Sequence, residues 1–298
     1  MTFEDKYLSN WETRQKALEK KVYNDVYRLY RNDYNSAINN FLLSNNFNPQ
    51  NYFTKDKVQN VFVKIYVVIG LGYANWYANN FKKLTKNVDL NQYQQIWRDA
   101  FATLATTNPQ ILRHINLVQG TARKQLIKIF QRRFSDPEFM ALGEVEKGRI
   151  LRSEFRNYSQ YQAQRLIRTE STNIANYATM QSASTIFPKE QLSKEWLTAR
   201  DERVRTFLNG DKADHRQMNN IKVRFNEKFD VPTAKGIDKM DRPADPAGSA
   251  ANVVNCRCVL LIIPDEDAQA EIEITGIGTG VGSGRYPRGT ATTNINLI

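Results

Sequence analysis

Apolar residues recur at helical intervals through the first two thirds of the chain. Over 4–32 they fall at Leu8, Trp11, Leu18, Val22, Val26 and Leu29. Steps of three, four and seven make one stripe along a helix whose other positions are mostly charged. A stripe this narrow suits a helix folded onto its own domain and a helix docked on another surface equally well. A second helical piece over 33–44 carries Phe41, Leu42 and Leu43 near its end, and Asn45-Asn46-Phe47-Asn48-Pro49 breaks it. A third, over 54–84, has a wide apolar face built from Val58, Val61, Phe62, Ile65, Val68, Ile69, Tyr73, Trp76 and Tyr77, which marks a central core helix. Gly70 and Gly72 within it predict a closely packed neighbour. Gln59, Asn60, Lys64 and Asn75 interrupt this run, which makes it too polar for a membrane span. Helices over 89–106 and 109–134 follow, the second opened by Asn108-Pro109. Ser135-Asp136-Pro137-Glu138 is a stop and restart. Two further helices are predicted over 138–147 and 148–186, with a break near Tyr158.

After Phe187-Pro188 the period changes. Residues 194–200 and 256–263 read as strands, with a third short strand over 223–229. Thr233 to Ala251, rich in Pro, Gly, Ala and Asp, reads as loop. From Gly276 the alternating glycines predict an extended arm. The fold class is therefore α+β: a large N-terminal helical region, a small C-terminal α+β module and a Gly-rich tail. The divisions fall at 1–50 for N-terminal docking helices, 51–160 for the helical core, 161–264 for the module and 265–298 for the arm.

Composition adds a charge argument. The 298 residues are 41% hydrophobic, enough for a real core, and carry a net charge of +11. Arg123 to Arg168 alone hold eleven Lys or Arg against five Asp or Glu, more than half of that excess. The concentration points to a polyanion, and Arg123, Lys124, Lys128, Arg132 and Arg133 are its candidate nucleic-acid contacts. No helix-turn-helix, zinc-finger spacing or phosphate loop accompanies them, so contact would be to the phosphate backbone and non-specific. Two cysteines make no disulfide framework and suit a reducing compartment. Met1 to Tyr30 is charged throughout and has no signal-peptide pattern.

The chemistry-bearing residues gather between Lys194 and Cys258. His215, Cys256 and Cys258 could supply three zinc ligands, with Asp201 or Asp214 as a fourth. The alternative is that the two cysteines pack as small hydrophobes on one face of a strand while His215 bonds a nearby polar group. Catalysis is not expected. Neither cysteine opens a helix, where a thiolate would be favoured, and adjacent Asp201 and Glu202 diverge. Arg200, Asp201, Arg203, Arg205 and Arg216 predict an ion-pair network holding a loop, and Asn255 an Asx-type turn.

Three blocks in order carry a family resemblance. The first is Arg168-Thr169-Glu170 with Asn173 and Ala175; the second runs from Trp196 through Arg200, Asp201 and Arg205 to His215; the third is Asn255-Cys256-Arg257-Cys258 before an apolar run. Over roughly 160–264 the chain resembles the phage Mu F-like head-morphogenesis family. The resemblance implies a structural, non-enzymatic minor head protein of a bacteriophage, located inside the capsid and made in the host cytoplasm during assembly. It implies the portal protein, the capsid interior and packaged DNA as partners, with no membrane in the mature virion, and a part in head assembly or in DNA packaging and ejection. Two other classes stay open. One is a nucleotide-directed transferase, which requires Arg200, Glu202 or Glu170 to converge in a pocket. The other is a non-specific DNA-binding protein unrelated to virions.

Overall fold

A computed structural model describes residues 2–44, 47–81 and 90–264; the Gly-rich arm lies outside the described residues. Six helices come first: α1 (Phe3–Ser44), α2 (Lys55–Phe81), α3 (Leu90–Thr107), α4 (Pro109–Phe134), the single turn α5 (Pro137–Met140) and α6 (Glu144–Ile186). Then come β1 (Leu192–Leu197), β2 (Ile221–Arg224), β3 (Phe229–Thr233), β4 (Gly236–Met240), the short α7 (Ala250–Val253) and β5 (Val259–Pro264). The α+β class and its helical N-terminal region are as the sequence predicts.

Boundaries differ in instructive ways. α1 is one helix, not two, because Tyr34, Ala37 and Ile38 continue the buried stripe past Asp33. Asp33 itself is buried and accepts from the Phe53 amide (2.5 Å) and Lys57 Nζ (2.7 Å). α6 runs unbroken past Tyr158. The helix starts expected at Asn108-Pro109 and within 135–138 are present, and Asn108 and Asp136 cap α4 and α5 by accepting the first free amides. The expected strand over 223–229 is a turn flanked by β2 and β3, and part of the expected loop over 233–251 is β4, paired antiparallel with β3. Their hairpin was hidden because β3 contains Pro232 and β4 buries only Met240, so neither shows a run of apolar residues.

The described residues divide into two compact units that are each discontinuous in sequence. One takes in Met1–Glu19, Tyr66–Phe101 and Arg168 onward; the other takes in Lys20–Ile65 and Ala102–Ile167. The second unit is an aromatic helical core in which Tyr34 stacks on Phe155 (4.4 Å) and meets Phe53 edge-on (4.8 Å). The apolar stripe of α1 is buried in the chain, at Trp11, Leu18, Val22, Val26 and Leu29. Contrary to the expectation from its polar interruptions, the segment Pro49–Phe81, which contains α2, is long and apolar enough to cross a membrane by length and composition. Its Val58, Phe62, Ile65, Ile69, Tyr73 and Tyr77 are nevertheless fully buried, as in a core helix.

The first unit contains the sheet, in the order β2-β1-β5 and antiparallel throughout. A Cβ on Gly70 would come within 2.6 Å of Phe101, and one on Gly72 within 2.6 Å of Leu18, so both glycines do mark close packing. Among the described residues β5 is an edge strand, yet all six of its residues are buried. Buried backbone groups on a free edge need partners, and here side chains supply them. Tyr7 donates to the Leu260 carbonyl (3.0 Å) and Tyr77 to that of Ile262 (3.0 Å). Asn176 accepts from the Leu260 amide (2.8 Å) and donates to the carbonyls of Cys258 (3.2 Å) and Pro243 (3.0 Å).

At the centre of the sheet Lys194 is fully buried, with Nζ donating to the Asp241 carbonyl (3.0 Å) and lying over the Phe229 ring. Burial pulls its pKa down to about 8, against the opposing field of Asp241. An unfolded lysine keeps its proton up to about pH 10.4. Above the folded value the unfolded chain therefore binds more protons, and stability rises with pH. The thermal midpoint should rise from pH 8 to pH 9.5 relative to that of a Lys194→Met variant, measured by circular dichroism. Parallel profiles for the two proteins would contradict this.

Candidate functional site

His215 is placed by its neighbours on the chain. The Arg205 carbonyl accepts from the amides of His215 (3.0 Å) and Arg216 (3.1 Å). Asp214, just before it, accepts from the amides of Phe207 (3.2 Å) and Gln217 (3.1 Å) and from the Thr206 hydroxyl (3.1 Å). Burial opposes its ionisation, but these bonds hold its carboxyl below the usual value. Trp196, at the end of β1, lies edge-on to the buried imidazole at 5.6 Å.

The cysteines arrive from the other direction. Asn255 adopts a left-handed backbone, φ 56°, which asparagine tolerates better than most residues. Its amide donates to Thr169 Oγ1 on α6 (3.1 Å). The expected Asx turn is not formed: Asn255 Oδ1 has no hydrogen-bond partner among the described residues. Cys256 and Cys258 precede β5 and are not part of a strand, which corrects the expected strand start. Alternation in the extended run still sends both thiols one way and Arg257 the other. Arg257 forms a two-pronged pair with Asp201, which holds that carboxyl well below its usual range.

Both sulfurs reach the same nitrogen. Cys258 Sγ lies 3.4 Å and Cys256 Sγ 3.7 Å from His215 Nδ1, and all three ligand atoms lie within 4.8 Å of one another. The cysteines are free and all three residues are buried. Burial works against ionising either thiol. For Cys256, the hydrogen bond from Cys258, then His215 and Arg205, outweigh burial and carry the pKa well down; for Cys258, burial and Cys256 push it well up. Two thiols sharing one proton behave this way. The cluster borders a cleft of about 240 Å³ whose lining includes Arg168, Arg203, Arg205 and Asp211. Arg205 in that lining donates to the carbonyls of Asn252 and Val254.

Residues 111–261 match the family model described as Phage Mu protein F like protein. The chain belongs to that family. It is thus a bacteriophage head-morphogenesis protein and a virion component, in a family whose members are structural. No curated protein and no solved structure matches the chain. The match begins at α4, well before the three blocks that carry the resemblance in the sequence.

The Mu F-like blocks converge in space. Thr169, Asn173 and Asn176 follow one another at steps of four and three on a face of α6. Thr169 holds Asn255; Asn173 accepts from Arg242 (2.7 Å) and donates to Tyr66 (2.6 Å), which in turn donates to Glu170 (2.8 Å). Asn176, Asn252 and Asp238 are absent from the sequence reading. For Asn176 the polar i, i+4, i+7 spacing from Thr169 through Asn173 was the available signal. The loop network is real but rearranged: Asp201 pairs with Arg203 and Arg257, and Arg200 pairs with Asp5. Neither Asp201 nor Asp214 joins the His–Cys cluster, so neither is a fourth ligand. Arg200, Glu202 and Glu170 do not converge: Arg200 and Glu202 are exposed, and Glu170 is buried against Tyr66.

Of the predicted nucleic-acid contacts, Lys124 and Lys128 are exposed one turn apart on α4. Arg123 is drawn into the fold, donating to Tyr52 O (2.9 Å) and Gln50 O (2.9 Å). Arg132 and Arg133 both pair with Glu154.

Proposed function

We propose that this Mu F-like chain is a minor head protein held inside the capsid at the portal, in non-specific contact with packaged DNA. Family membership over 111–261 carries the reading. The buried stripe of α1 argues against that face as the portal contact, which leaves the glycine-rich arm over 265–298 as the attachment segment. A cell-free pull-down of the full chain with the portal ring of its own phage tests this, alongside a chain ending at residue 264. Stoichiometric binding that survives high salt, and is lost on truncation, is expected. Absence of binding by the full chain would overturn the portal assignment.

DNA contact falls on the exposed cations of the Lys20–Ile65 and Ala102–Ile167 unit. Lys124 and Lys128 have no ion-pair partner among the described residues, and Arg31, Arg152 and Arg156 line a cleft of about 260 Å³ that contains no carboxylate. Each phosphate contact contributes about 0.9 to the slope of log affinity against log salt. Replacing Lys124, Lys128, Arg152 and Arg156 by Gln should weaken duplex binding at low salt and reduce that slope by about 2 to 4. An unchanged slope would remove this surface from the account.

A further inference from the structure

We infer that His215, Cys256 and Cys258 hold a zinc ion, with the fourth coordination position open to the arginine-lined cleft. Three independent features converge on this reading. They are the distances among the donor atoms, the tautomer that the surroundings impose on His215, and the donors placed around the sulfurs.

The distances come first. A tetrahedral zinc has bonds of about 2.3 Å to sulfur and about 2.0 Å to nitrogen, so its nitrogen and sulfur ligands stand about 3.5 Å apart. The observed separations from Nδ1 are 3.4 and 3.7 Å. The sulfurs lie within 4.8 Å of each other and are not bonded. Two cysteines spaced i, i+2 form a bond to each other only with strain, whereas one metal ion accommodates them readily.

The tautomer is set from behind the ring. His215 Nε2 is 2.9 Å from Asn252 Oδ1. Asn252 Nδ2 donates to Asp238 Oδ2 (2.8 Å), which also accepts from the Ser249 amide (2.7 Å). A carboxylate only accepts, so it fixes which end of the Asn252 amide is oxygen. Nε2 must therefore carry the hydrogen, and Nδ1 turns its lone pair to both sulfurs. A polar partner behind the coordinating imidazole is the usual outer shell of a metal-binding histidine. Simple packing of two thiols gives no reason for buried Asn252 to be anchored on half-buried Asp238 behind the ring.

The sulfur environment completes the argument. The Cys258 amide points at Cys256 Sγ (3.5 Å), and Arg205 lines the same cleft as both cysteines. Two thiolates balance the charge of one divalent zinc ion, which relieves the desolvation that would otherwise oppose them. Among the described residues no carboxylate belongs to the cluster, so the fourth ligand comes from the cleft as solvent or an anion.

The test uses the full chain, purified without chelator and under reducing conditions. Metal analysis should find one zinc per chain. After the zinc is removed, cobalt(II) titrated into the folded chain should saturate at one equivalent. The intense visible bands of tetrahedral cobalt and a sulfur-to-cobalt charge-transfer band should appear. Cys256→Ser with Cys258→Ser should abolish both signals, and Asn252→Ala should weaken cobalt affinity by about 10- to 100-fold through loss of the ring anchor. If the double variant does not fold, the wild-type titration decides. No retained zinc and no stoichiometric tetrahedral cobalt spectrum in the folded wild-type chain would overturn the inference. So would a spectrum that survives the cysteine substitutions in a folded chain.

Discussion

The hydrogen bonds that close the outer edge of β5 are the constraint on which the C-terminal module depends. A buried strand whose outward amides and carbonyls lack partners would be costly, on the order of 1–3 kcal/mol for each group. Tyr7 from α1, Tyr77 from α2 and Asn176 from α6 satisfy four such groups at Cys258, Leu260 and Ile262. The same contacts fix the height of Cys258 along α6. With Thr169 holding Asn255 one step earlier, the Cys-x-Cys run has little freedom to move. The position of the sulfurs is thus a consequence of how the sheet edge is covered.

The second half of the site is organised by charge. Asp201 and Arg257 tie the loop after β1 to the run between the cysteines, and Arg205 holds the carbonyls that precede it. The family blocks that are distant in sequence meet here. A helix face, a loop rich in arginine and a closing cysteine run are parts of one hydrogen-bonded assembly. This gives a physical reason for them to occur together in a structural head protein, where a module has to keep its shape.

Much of this was legible from residue spacing. The helices follow from apolar periodicity, Gly70 and Gly72 from their place on a crowded face, and the starts of α4 and α5 from the prolines that open them. The grouping of His215, Cys256 and Cys258 was also legible from residue type alone. The long continuity of α1 and α6 was not, because local polar residues such as Asp33 and the region of Tyr158 look like breaks until their partners are known. The β3–β4 hairpin escaped because its strands are polar and half exposed. Asn252 and Asp238 could not be found from sequence, since their role exists only through contacts with a ring 37 and 23 positions away in the chain and through one another. Likewise, nothing in the sequence tells Lys124, which faces outward, from Arg123, which is used to hold Tyr52 and Gln50.

Native-state hydrogen exchange at Leu260 tests the central claim most directly. Its amide belongs to the outer edge of the sheet, where among the described residues it meets no strand and donates to Asn176 Oδ1. If side chains close that edge, the Leu260 amide exchanges as slowly as the ladder amides of β5. In an Asn176→Ala chain it then exchanges at least tenfold faster than those ladder amides. Rapid exchange at Leu260 in the unaltered chain, with the ladder protected, would contradict the account.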